Sequence, residues 1–139
     1  MNAIPREVVM EVDLRSIAAA NLDDLDSQLR RAIAEATSTA GVECRIELMG
    51  ERPSGMTPVS STIVRAAMEV TRRFGFEPVT DVGSTDANLP ISLGIPAIAI
   101  GGGGTSGNVH TPEEWFDPSW REQGVQRLLA LVAVLAGLD

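Results

Sequence analysis

The sequence predicts an α/β fold in two unequal pieces: a β-α-β unit, then an α-β-α-β-α layered unit. Three observations carry that reading. Two segments near the start alternate apolar and polar residues, and a long amphipathic stripe lies between them. Downstream, helical and apolar runs take turns, the pattern of a layered parallel sheet. Finally, the aliphatic run "IPAIAI" passes directly into four glycines, as a central strand passes into a ligand-facing loop. "ERPSGMTP" is the Pro/Gly-rich joint between the pieces. The pieces are therefore set at residues 1–52 and 58–139, with the joint at 53–57.

In the first piece, "VVMEVDLR" sends Val8, Met10, Val12 and Leu14 one way and Val9, Glu11, Asp13 and Arg15 the other. That is the period of a strand with one solvent or ligand face. In "NLDDLDSQLRRAIAEATSTAG", Leu22, Leu25, Leu29, Ile33 and Ala36 recur at helical spacing. Asn21 is the expected N-cap, Asp23 and Asp24 suit the positive helix start, and Gly41 is the expected stop. "VECRIELMG" alternates again, with Val42, Cys44, Ile46 and Leu48 on one face.

The second piece opens with a helix carrying Ile63, Ala67, Val70 and Phe74. A short strand at "EPVT", a loop "DVGST" and a helix across "DANLPISLG" follow, then the "IPAIAI" strand and the glycine loop. "HTPEEW" resembles a helical start, with Thr111 and Glu114 in capping-box register. A last helix is expected from Asp117-Pro118, through Leu128, Leu131 and Leu135, to the end. Two convincing strands are few for a free-standing fold.

Composition removes several functions. A chain of 139 residues makes one ordinary domain or two very small ones. The net charge is −8 and every basic residue is an unclustered arginine, which disfavours nucleic acid as a partner. The longest apolar run, "LLALVAVLAGL", is too short for a bilayer and reads as a buried helix. A single cysteine, Cys44, forms no internal disulfide and suits a reducing cytoplasmic setting. No secretory signal is visible.

The chemistry gathers around the one histidine, His110, six residues past the glycine run. Glycines at a strand's carboxyl end let a ligand approach backbone N–H groups able to hold a carboxylate or oxyanion. The bland alternative is a mobile glycine hinge with an incidental histidine. Asp86, in "GSTDAN" after the other strand, is a ligand, a partner to one, or merely a helix cap. A serine hydrolase built on Ser84 or Ser106 lacks the nucleophile elbow. A self-contained zinc site lacks donors, because one histidine and one distant cysteine would leave it relying on carboxylates.

The blocks "NAIPREVVMEVDLRS", "GSTDANLPISLGIPAIAIGGGG" and "HTPEEWFD", in that order, resemble the zinc-dependent aminoacylase, desuccinylase and glutamate-carboxypeptidase family, di- and tripeptidases included. The chain corresponds to the last part of a member. The resemblance implies that residues 2 to about 52 form the second half of a dimerising lid, and that the rest completes an α/β catalytic domain. It makes His110 a zinc ligand, with the other ligands and the general-base glutamate upstream of this chain. It makes Asn2 and Arg15 substrate contacts, arginine pairing with a terminal carboxylate, and gives Gly102, Gly103 and Gly104 backbone contacts to substrate. Along an extended strand, Asn2 and Arg15 lie roughly 40 Å apart, so a homodimer lending one of them to its neighbour is expected. The implied substrate is a small peptide or N-acyl amino acid, cleaved with two zinc ions. The implied chain, taken alone, is inactive.

Overall fold

A computed structural model of the chain describes residues 5–138. The elements are helix α1 (Ala19–Ala40), α2 (Thr62–Arg73), α3 (Asn88–Ser92), strand β1 (Thr105–Gly107), β2 (Trp115–Asp117) and helix α4 (Arg121–Leu135). The class is mixed α/β, as expected. The chain divides into two compact units, Met1–Ser54 and Gly55–Asp139.

The first unit is α1 with extended chain on either side. The helix runs further back than the predicted Asn21 cap: Ala18 is the N-cap, and its carbonyl accepts from Asn21 and Leu22. Asp23 and Asp24 consequently lie beyond the first turn. Gly41 ends the helix in the left-handed region at φ 66°, its N–H bonded to the Thr37 carbonyl, as a C-terminal glycine should. The apolar stripe is only half covered, with Leu22, Leu29 and Ile33 partly exposed and no helix residue buried.

The predicted strands at Val8–Arg15 and Val42–Met49 do not form ladders among the described residues. Their alternation is real but has no burial behind it: Val8 is 78% and Val9 82% exposed, although they face opposite ways. A strand is completed by its neighbour's hydrogen bonds. Here neither segment finds one, and both remain single extended chains.

The second unit has a small core where α2 packs on α4. Val64 and Val70 of α2 and Leu131 of α4 are its buried hydrophobic residues. Arg72 and Arg73 lie in the last turn of α2, where cations oppose the negative helix end. The stretches at 77–80 and 95–100 that were expected as strands form no ladder among the described residues. One sheet-like contact survives at 95–100. The Thr57 hydroxyl donates to the Ala97 carbonyl (2.6 Å) and accepts from the Ala97 N–H (3.2 Å). A side chain there satisfies the backbone groups that a neighbouring strand would otherwise pair.

The observed sheet is a two-stranded antiparallel hairpin, β1 with β2, in a region where no strand was predicted. Its register pairs Thr105 with Asp117, Ser106 with Phe116 and Gly107 with Trp115. "HTPEEW" is therefore the hairpin loop running into β2, not a helix start. The last helix begins at Arg121 instead of Asp117-Pro118, because Asp117 is held in β2. Several apolar side chains of α4 stay exposed, Val125, Leu129 and Val132 among them. No helix of the described residues is long and apolar enough to cross a membrane.

The accessible surface is 11524 Å². Large apolar side chains exposed in it include Met49, Val79 and Leu129.

Candidate functional site

The glycine run leads directly into the hairpin, and residues 116–127 hold it down. A Cβ built on Gly103 would lie 2.4 Å from the Trp120 carbonyl oxygen, and one on Gly104 would lie 2.5 Å from the Phe116 ring. Both glycines have positive φ, 88° and 85°. Only residues without a side chain fit between this turn and the start of α4. From the helix side, a Cβ on Gly124 would meet the Gly102 carbonyl oxygen at 2.0 Å, and Arg127 Nη2 donates to the Gly101 carbonyl at 2.5 Å. The loop is packed on α4. These contacts favour the site reading over the hinge.

His110 lies in the seven-residue connection of the hairpin, 108–114. The Asn108 carbonyl accepts from the Thr111 N–H (3.1 Å) and hydroxyl (2.8 Å), and the Asn108 side-chain amide donates to the Glu113 carbonyl (3.3 Å). The Glu114 carboxylate accepts from the His110 N–H at 3.3 Å, while the Glu114 N–H donates to the Thr111 carbonyl. Thr111 and Glu114 thus make no capping box: the Thr111 hydroxyl donates to a carbonyl instead of accepting, and the bonds close a loop. They engage the backbone of His110 and leave its exposed imidazole out of the bracing.

Asn108 (φ 53°), His110 (φ 68°) and Trp120 (φ 66°) are the non-glycine residues at positive φ among those described. For a residue such as histidine this region costs on the order of 1–3 kcal/mol. Such cost concentrates where geometry serves a ligand. All three lie within thirteen residues around the glycine loop.

Asp117 prepares the start of α4. Its Oδ1 accepts from the Ser119 N–H (2.9 Å) and hydroxyl (2.7 Å). These two bonds, the hydroxyl's first, hold its carboxyl below the usual carboxylate range. The turn delivers the Trp120 carbonyl to the Gly124 N–H at 3.0 Å.

The remaining sequence-predicted residues are less drawn in. Asp86 is exposed and is not the cap of α3; the Thr85 hydroxyl accepts from the Ala87 N–H, and the Asn88 side chain accepts from the Thr85 N–H. Arg15, in the first unit, pairs with Asp13 at 2.5 Å, both side chains exposed. That bond lowers the Asp13 carboxyl's pKa. Asn2 lies outside the described residues. No group of three or more His, Cys, Asp or Glu side chains is brought together among the described residues, so a self-sufficient metal centre does not fit them. A single imidazole donor does.

Sequence reasoning passed over Gly124 and Arg127. The available signal was a glycine inside an otherwise helix-forming segment, which usually marks close packing. Arginine three residues on shares its helix face.

No curated protein matches the chain. The profile of peptidase family M20/M25/M40 matches residues 7–134, spanning both units and the whole of the glycine loop, hairpin and His110. That family is one of peptidase- and amidohydrolase-type domains that are generally metal-dependent. By this match, over nearly its full length, the chain belongs to peptidase family M20/M25/M40.

Proposed function

We propose that these residues are the C-terminal share of a co-catalytic zinc peptidase or amidohydrolase that cleaves the amide bond of small peptides or N-acyl amino acids. The supporting observation is His110: its imidazole is exposed on a braced loop with left-handed backbone, six residues past a glycine run packed on α4. In this reading His110 is one zinc ligand and the co-ligands come from polypeptide outside the chain. The metal, when bound, would activate water and polarise the amide carbonyl. Gly102, Gly103 and Gly104 present backbone to substrate, Arg15 and Asn2 meet its carboxylate, and Asp86 supports the metal-facing side. The first unit is half of a dimerising lid and the second completes the catalytic domain, in a cytoplasmic homodimer. Arg15 would exchange Asp13 for the substrate carboxylate, a small change because exposed pairs are weak.

The test is zinc titration of the chain followed by the imidazole NMR signals. Weak binding that selectively perturbs the His110 ring, and is lost in His110→Gln, is expected, with no peptidase turnover. Tight stoichiometric zinc with turnover by this chain alone would overturn it, as would zinc binding indifferent to His110→Gln.

A second reading is an inert module that self-associates. The large uncovered apolar surface favours it, since stable protein interfaces need only about 800 Å² per partner. Light scattering at high concentration addresses both readings, and a clean monomer counts against each.

A further inference from the structure

We infer that Arg127, seated on the helix face that Gly124 leaves bare, is a positioning residue that aims the Gly102 N–H outward as a donor for a carboxylate or oxyanion. The inference rests on the reading of the glycine loop as substrate-facing and adds the device that orients it.

A trans peptide is planar, with its C=O and following N–H pointing in opposite directions. Arg127 Nη2 holds the Gly101 carbonyl at 2.5 Å, so the Gly102 N–H of the same peptide must point away from the guanidinium. The next peptide is fixed as well. A Cβ on Gly124 would lie 2.0, 2.4 and 2.7 Å from O and C of Gly102 and N of Gly103. Three consecutive atoms at such similar range mean that this peptide lies flat against the helix at Gly124. One peptide is thus fixed by a charged hydrogen bond and the next by contact, one helical turn apart.

The donor so aimed is available. Among the described residues no hydrogen bond uses the Gly102 N–H, and Gly102 is exposed. Arg127 keeps no second anchor, since its buried Nε finds no acceptor among the described residues. The bond to Gly101 is its principal polar engagement there, and charge-assisted bonds of this kind are the strong ones.

Backbone amide order parameters of residues 101–104, measured by NMR relaxation in the whole chain, test the clamp without metal or turnover. Arg127→Met should lower them from the rigid range of about 0.85 to below about 0.6. Amides of α2 and of the second half of α4 should keep their values. Arg127→Lys, which can still donate to the carbonyl, should recover most of the order. Acetate, as a bare carboxylate probe, should shift the Gly102 amide signal in wild type and in Arg127→Lys but not in Arg127→Met. Unchanged loop order in Arg127→Met overturns the proposal. So does a uniform loss of order over the whole unit, or an acetate response that survives the loss of the arginine. None of these outcomes depends on zinc at His110, so the clamp and the hydrolase reading fail separately.

Discussion

The two units have sequences of similar apolar patterning and put it to different use. In the first, the stripe of α1 and the alternation on either side of it bury nothing completely. In the second, α2 and α4 close on each other around Val64, Val70 and Leu131, and the glycine run is packed under the same helix. Periodicity states which face a segment offers. Burial depends on whether another segment arrives to accept it, and among the described residues only the second unit contains such a pair.

The sharpest way to break this contrast is to truncate a side chain in each unit. Leu131→Ala, at a position 5% exposed, should cost about 2–4 kcal/mol in denaturant unfolding. Leu25→Ala, at a position 39% exposed, should cost less than about 1 kcal/mol. Equal losses would mean that the first unit has a core after all. A smaller effect separates backbone from side chain at the start of α4. Trp120→Gly should be more stable than Trp120→Ala by about 1 kcal/mol, because both lose the ring and only alanine keeps the left-handed penalty. Calorimetry showing the reverse order would remove strain from the account of that turn.

The smallest effect is a pH dependence confined to the second unit. Asp117 has a folded-state pKa below its unfolded value of about 3.9. Its contribution is therefore complete above that value and fades as pH falls through the lower, folded one. The helical signal at the start of α4 should follow this acid titration in wild type. In Asp117→Asn, which accepts the same bonds without titrating, it should not. Identical acid profiles would show that the carboxylate takes no part in holding the turn.

The helices were legible from sequence because their signals are local. The α2 stripe and the Gly41 stop needed no knowledge of the rest of the chain. The predicted strands failed for the opposite reason: a strand is a relation between two segments, and Val8–Arg15 shows that alternation alone does not supply the second. The hairpin was missed because "WFD" has no alternating polar partner, and because Thr111 and Glu114 serve a loop as readily as a helix start. For the candidate site, His110 and the glycines stood out by composition. What gives them their setting, the φ of 68° and the lacing to Gly124 and Arg127, arises from packing between residues far apart in sequence.

The left-handed backbone at His110 carries an evolutionary consequence. Glycine or asparagine at that position would relax the hairpin, so any selection acting on robustness alone drives the imidazole out. A stability-guided redesign of this domain would replace His110 early, and on the proposed reading would take a zinc ligand with it.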